Sequence, residues 1–261
     1  MNKPLGYVVY EGPSAIDGAP IVVILNKVHD ESANDKTGAL VQSFIIRADV
    51  APVEALRTGD DASVCGQCPH RPLLVALMAR IGINVPPCYV RVWQSVRSVY
   101  AAYKRGRYVR VRDRATLADA LRGKTLRLGT YGDPAAAPVE LWAELCAMTD
   151  GGHRGYTHQW QEPWFDHAAW APFVMASADS IDQAALANLY GMRVFRVSVG
   201  VDRQPMETVC PASAEGNRRS NCAKCGLCAG TSVQARDIVI ADHASGHAAR
   251  ARRFIPLAVA A

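Results

Sequence analysis

The chain has 261 residues, 49% of them hydrophobic and 20% charged, which suffices for one sizeable core or two small ones and excludes a wholly disordered chain. No apolar run approaches the ~20 residues that span a bilayer, and Met1 to Gly12 carries neither a basic lead-in nor a long apolar stretch, so the sequence predicts a soluble, unprocessed, cytoplasmic protein with no membrane partner. The net charge of +5, from 29 basic and 24 acidic residues, favours polyanions only weakly.

Two β-rich runs come first, Tyr7–Tyr10 and Ile21–Leu25, separated by Gly12-Pro13 and Asp17-Gly18-Ala19-Pro20, and they read as an N-terminal hairpin. A third strand is expected over Ala39–Ile46, leading through Asp49–Asp61 to a loop that carries the first cysteines. Apolar residues at Val92, Val96, Val99, Tyr100 and Tyr103 predict one helical face over Val90–Tyr103, ended by Gly106. The chain then alternates. Helices are expected at Thr116–Leu121, Pro138–Met148, Trp164–Trp170 and Ile181–Tyr190, and strands at Thr125–Thr130, Gly155–Gln159, Phe173–Ser177 and Met192–Val199. Repeated βα units predict an α/β fold with a mainly parallel sheet, open or curled into a partial barrel. A polar loop over Asp202–Gly230 and a last strand at Asp237–Ile240 complete the reading. The expected organisation is an N-terminal β extension (1–37), a barrel-like core (38–200) and a cysteine-rich C-terminal segment packed on that core (201–261).

Eight cysteines in a chain without a leader point to a metal or cluster in a reducing compartment, not to disulfides. The strongest signal is C-x11-C-x2-C-x2-C at Cys210, Cys222, Cys225 and Cys228. CxxC turns let two sulfurs face one centre, and both tetrahedral zinc and iron–sulfur clusters use them. A second group, Cys65, Cys68 and Cys88, has the spacing C-x2-C-x19-C. Three thiolates on a [4Fe–4S] cluster leave one iron open, whereas zinc closure needs a fourth ligand such as His70. Cys146, alone on a helix with apolar neighbours, is assigned to the core.

The order Cys65-Gly-Gln-Cys68, Cys88-Tyr89-Val90, Arg105-Gly106-Arg107-Tyr108, Gly132-Asp133-Pro134, Tyr156-Thr157-His158-Gln159-Trp160, Ser177-Ala178-Asp179 and the closing CPxS…CxxCGLC resembles the phage and prophage gene-product-88-like proteins over roughly Gly38 to His243. Those proteins are in turn distantly similar to radical S-adenosylmethionine enzymes. The resemblance implies a partial (β/α) barrel, a cluster loop after its first strand and redox or radical chemistry. Gly132-Asp133-Pro134 is similar to the Gly-Glu-Pro motif that holds the methionine amino group, which implies S-adenosylmethionine beside Gly132, Asp133 and the Cys65 cluster. The radical-enzyme signature spaces its cysteines CxxxCxxC on one loop, and this chain departs from it.

Polar residues at expected strand ends, Asp133, Tyr156, His158, Gln159, Ser177 and Asp179, would face one pocket with the Cys65 loop, because α/β sheets bind ligands at the carboxyl ends of their strands. Asp133, His158 and Asp179 are the candidate catalytic groups, although Asp133 and Asp179 equally suit helix N-caps. The segment Arg91–Arg114 offers a different function. Its arginines interleave with Trp93, Tyr100, Tyr103 and Tyr108, a pattern that suits nucleic acid, while the helical period sends Tyr100 and Tyr103 to the core. His243 and His247 are further metal-ligand candidates near a basic tail at Arg250, Arg252 and Arg253. Two functions therefore stand side by side: an iron–sulfur protein with one or two clusters, and a zinc-stabilised nucleic-acid-binding protein. The substrate, a small molecule or a nucleic acid, is not specified.

Overall fold

The computed structural model describes residues 4–30 and 37–242. His243, His247 and the basic tail lie outside the described residues. Among the described residues eleven strands form: β1 (Gly6–Pro13), β2 (Pro20–Asn26), β3 (Val41–Arg47), β4 (Val109–Arg110), β5 (Leu126–Tyr131), β6 (His153–Arg154), β7 (Tyr156–Thr157), β8 (Met175–Ala178), β9 (Val194–Ser198), β10 (Glu207–Val209) and β11 (Asp237–Ala241). They make two mostly parallel sheets, ordered β4-β1-β2-β3-β5-β6 and β10-β11-β9-β8-β7. The fold is α/β, and no barrel closes among the described residues.

The expected hairpin is present. β1 and β2 pair antiparallel, β2 pairs antiparallel with β3, and β3 then pairs parallel with β5. Ile21, Val22, Val23, Ile24 and Leu25 are all fully buried, as an apolar run covered on both faces should be. The single strand expected over Gly155–Gln159 is instead divided. His153 and Arg154 pair with β5 in the first sheet, and Tyr156 and Thr157 pair with β8 in the second. Gly155 is the hand-over residue, since a Cβ there would sit 3.0 Å from the Phe173 carbonyl oxygen and from Val174. Gln159 already belongs to a 3-10 turn, Gln159–Gln161.

Other expectations shift by local physics. Pro52 and Pro72, each at the start of a helix, nucleate Pro52–Thr58 and Pro72–Arg80, and a further turn, Ala62–Cys65, precedes the first thiol loop, so helices stand where one long connection was expected. The Val90–Tyr103 helix begins as a π-helical turn, Val92–Val96, and is α-helical only over Arg97–Lys104. The Trp164–Trp170 helix shortens to His167–Trp170, whose N-cap is Asp166. β10 and a one-turn helix, Cys222–Cys225, lie inside the stretch read as a polar loop. Among the described residues no helix is long and apolar enough to cross a membrane.

The main core packs the first sheet and β8–β9 around Trp142 and Trp160, both fully buried with their indole N–H groups donating to the Pro134 and Ser177 carbonyls. Cys146 packs against this core. A second, smaller cluster gathers Met175, Ile238 and Ile240 with Cys210, Cys222 and Cys228 at its edge. Between the two lies the site.

Candidate metal centre and its cavity

One cavity of about 470 Å³ receives seven cysteines: Cys65, Cys68 and Cys88 on one part of its wall, Cys210, Cys222, Cys225 and Cys228 on another. The remaining wall is largely apolar, with Tyr156, Phe195 and Ile238 contributed by the sheet. The two cysteine groups, far apart in sequence, therefore share a chamber of ordinary ligand-binding size.

Each group is held by a specific clamp. Arg71 is almost buried and forms a bidentate pair with the buried Asp61 (Nε to Oδ2 2.9 Å, Nη2 to Oδ1 2.7 Å), while also donating to the Gly59 and Gly66 carbonyls. That one guanidinium ties the start of the Cys65 turn to its end. Gln159 reaches the same turn from β7, its amide donating to the Cys65 carbonyl at 3.0 Å and its oxygen accepting from the Gln67 amide at 3.2 Å. In the second group, Asn221 caps the Cys222–Cys225 turn, Arg154 donates to the Cys222 and Ala223 carbonyls, and Arg193 donates to the Leu227 and Gly230 carbonyls.

The sulfurs accept hydrogen bonds from the chain. The Val90 amide donates to Cys88 Sγ at 3.5 Å, the His70 amide donates to Cys68, and the Tyr156 hydroxyl donates to Cys228. Donors aimed at sulfur favour the thiolate and tune a bound centre. Burial works in the opposite direction: it pushes the Cys65 and Cys68 thiols well above their ordinary value, with neighbouring negative charge adding to the effect, and pushes Cys228 up to about 12. A bound cation reverses this balance, because a thiol that ligates a metal is deprotonated. Arg127 supplies fixed positive charge between the groups. It hydrogen-bonds Tyr89, the neighbour of Cys88, at 2.7 Å, and its charge acts on Cys222.

Three buried polar atoms on this wall, Arg127 Nε, Thr130 Oγ1 and Tyr131 Oη, have no protein partner among the described residues. Unpaired buried polar atoms cost about 1–3 kcal/mol each, so three around one chamber mark a place where something other than protein belongs.

No family model matches the chain, and no curated protein or solved structure matches it. The residues themselves carry the rest of the reading.

The strand-end residues sort into three roles. Asp133 follows β5, with Gly132 at φ +81, where a Cβ would lie 2.5 Å from the Ile45 carbonyl oxygen. Its carboxylate accepts four hydrogen bonds, from the Ala135 and His158 amides, the Thr157 hydroxyl and the Gln159 side chain. Burial pushes this carboxyl up, against those bonds. All of its acceptor sites are used, so Asp133 is a positioning residue that orders β7 and, through Gln159, the Cys65 turn. Tyr156 and Ser177 form wall, Tyr156 touching Cys228 and Ser177 giving its carbonyl to Trp160.

His158 and Asp179 meet a residue that the sequence assigned elsewhere. His70, expected as the fourth ligand of a zinc site with Cys65, Cys68 and Cys88, directs Nδ1 to the Pro86 carbonyl (2.7 Å) and Nε2 to Asp179 Oδ1 (3.0 Å). Of the options for the fourth position beside the three thiols, His70 has both ring nitrogens engaged elsewhere. Asp179 is not the N-cap of the following helix either. Ser180 is, accepting from the Gln183 amide, and the Asp179 carboxylate is left to the histidines. Burial would raise the Asp179 carboxyl and lower the His70 imidazole, but their hydrogen bond and mutual charge outweigh it, holding Asp179 below and His70 above their ordinary values. Burial, with the charge of His70, lowers His158 to about 4.

The basic segment has a different geometry from the one its pattern suggested. Tyr108 is buried, Trp93, Tyr100 and Tyr103 pack against the core, and Arg110 and Arg114 pair with Glu11 and Glu144. Arg97, Arg105, Arg107 and Arg112 are exposed, Tyr100 and Tyr103 are half-buried, and Lys104 lies over the Tyr100 ring at 5.9 Å.

Gly66 permits a sharp test of the first clamp. It sits at φ +54, ψ −129, and a Cβ there would fall 2.0 Å from Gln159 Oε1. Gly66→Ala adds backbone strain of about 1–3 kcal/mol and displaces Gln159 as well. Gly82→Ala, also at positive φ but with nothing within 4 Å, adds strain alone. The thermal midpoint should therefore fall much further for Gly66→Ala than for Gly82→Ala; equal effects would contradict the clamp.

Proposed function

We propose that the chain is an iron–sulfur protein in which Cys210, Cys222, Cys225 and Cys228 hold one cluster and Cys65, Cys68 and Cys88 a second, with redox or radical chemistry at the three-thiol end. The observation that carries this reading is the shared chamber: seven thiols from separate segments, sulfur-directed amides and unpaired polar atoms surround one space. The donor set fits a cluster better than zinc. Tetrahedral zinc at about 2.3 Å from each sulfur draws thiolates to about 3.8 Å from one another. Among the described residues the one His/Cys/Asp/Glu trio whose ligand atoms all lie within 4.8 Å is His70, His158 and Asp179, not a set of cysteines. A cubane seats each thiolate on its own iron and keeps the sulfurs further apart.

When bound, a three-thiol cluster supplies electrons and one iron with an open position. The chain's own residues fix the thiol loops through Arg71, Gln159 and Asp133, and Arg127 offsets thiolate charge. The strand order also supports a curled, partial (β/α)-barrel-like reading, since 153–157 belongs to both sheets and four further parallel strands continue beyond it. S-adenosylmethionine, implied by the resemblance, has Gly132 and Asp133 on the cavity wall, but the Asp133 carboxylate is saturated, and no role in holding an amino group is assigned to it.

The test separates the centres. In anaerobically purified protein, Cys222→Ala with Cys225→Ala should remove about half of the iron and sulfide, and Cys65→Ala with Cys68→Ala the other half. Loss of all iron from either pair would mean one shared centre, and loss of none would refute cysteine ligation.

A further inference from the structure

We propose that His70, His158 and Asp179 form a mononuclear divalent-metal site, separate from the thiols, that presents open coordination positions to a polar pocket. One ligand atom from each lies within 4.8 Å of the other two. The three come from different parts of the chain: His70 follows the Cys68 turn, His158 ends β7 and Asp179 ends β8. Two imidazoles and one carboxylate on one side of an ion form the arrangement that binds iron(II) and similar first-row ions while leaving the opposite side free.

The supporting contacts are those of a built site. His70 Nδ1 donates to the Pro86 carbonyl at 2.7 Å, which fixes the ring and turns Nε2 toward Asp179 Oδ1, 3.0 Å away. Metal-ligating histidines are held in this way, the second nitrogen on a carbonyl or carboxylate. Nε2 and Asp179 Oδ1 form a hydrogen bond, and a cation that displaces the proton between them gains both atoms as ligands. The His158 ring stands edge-on to His70, centroids 5.4 Å apart and planes at 73°, with its backbone amide anchored by Asp133. Asp179 is steadied through its own amide, which donates to Gln183 Oε1 at 2.8 Å.

The site lies on a shared wall. His70 and His158 line the thiol chamber, while His158 and Asp179 line a second pocket of about 300 Å³ with Gln67, Gln161, Glu162 and Gln183. A pocket lined by side-chain amides and the Glu162 carboxylate suits a small polar molecule as the co-ligand. This inference does not depend on what the thiols bind.

Manganese(II) tests it, because this harder ion prefers nitrogen and oxygen to thiolate. The full chain, with whatever its cysteines carry, is titrated with manganese(II) while the six-line signal of the free ion is followed by electron paramagnetic resonance. One ion per chain is expected, with affinity lowered tenfold or more in His158→Ala and in the near-isosteric Asp179→Asn, and unchanged in Arg97→Ala, an exposed side chain outside both pockets. Pulsed measurements on the unaltered protein should show two imidazole nitrogens coupled to the bound ion, a readout that needs no variant to fold. Failure to bind manganese(II), binding undiminished in Asp179→Asn, or a bound ion without nitrogen coupling would each overturn the proposal. In that case His70 and Asp179 are a metal-free ion pair.

Discussion

Replacing Arg71 with Met should lower stability by about 3–5 kcal/mol, the cost of removing one partner from a buried ion pair. Asp61 is 1% exposed and would be left as a buried charge without its bidentate partner. The Gly59 and Gly66 carbonyls would lose their donor as well. A domain has a total stability of about 5–15 kcal/mol, so this loss is a large fraction of it, and the thermal midpoint should fall on the order of 10 °C. Arg71→Lys keeps the charge but not the planar fork, and should lie between Met and the original. Because Arg71 clamps the Cys65 turn, iron bound by Cys65, Cys68 and Cys88 should be lost before the chain unfolds, while the Cys210 group keeps its own. An Arg71→Met protein with an unchanged midpoint and full iron content would show that the clamp is dispensable.

Glu207→Gln should have a smaller but still large effect in the second sheet, because Arg196 keeps Asp202 as a partner, and a pH signature distinguishes it. Arg196, 2% exposed, donates to Glu207 through Nε (2.6 Å) and Nη2 (2.7 Å) and also to Asp202. Burial alone would raise the Glu207 carboxyl, but hydrogen bonds from Arg196 and the Gln204 amide, with the Arg196 charge, outweigh it and hold the group below its ordinary 4.5. A carboxyl depressed on folding contributes stability that is fully present above its unfolded value and is lost as pH falls through the folded one. The gap between the original protein and Glu207→Gln, about 1.5–3 kcal/mol at neutral pH for the loss of charged hydrogen bonds while Asp202 still pairs with Arg196, should therefore narrow below pH 4.5. Chemical denaturation at pH 7 and in the acid range measures it. A gap that stays constant on acidification would remove Glu207 as its source.

The alternating β and α runs and the cysteine spacings were legible because both are local signals. Ile21–Leu25 is apolar at every position, as a strand covered on both faces must be, and the CxxC pairs announce themselves by separation alone. The clamps were not legible. Asp61 and Arg71 lie ten residues apart in a stretch without periodicity, and their pairing depends on short helices that form around Pro52 and Pro72. Gln159 was visible as a strand-end residue, yet its bond to the Cys65 carbonyl spans 94 residues. Arg127 reads, by alternation with Leu126 and Leu128, as an outward-facing charge. The outward face is instead the chamber, which appears only when the second sheet is in place. His70, by its closeness to Cys68, reads as one option for a fourth ligand beside the thiols, and its contact with Asp179 depends on the Pro86 carbonyl sixteen residues away. His158 and Asp179 were found as strand-end residues, but their shared purpose required the third member.

The measurement that bears most directly on the central claim is iron, acid-labile sulfide and zinc content, with the visible spectrum, of one anaerobically purified sample. Two [4Fe–4S] clusters predict iron and sulfide near ~8 per chain and one cluster near ~4, with absorption near ~400 nm and little zinc. A colourless protein carrying zinc without iron or sulfide would contradict the account, leaving the thiols as structural ligands and the chamber without redox chemistry.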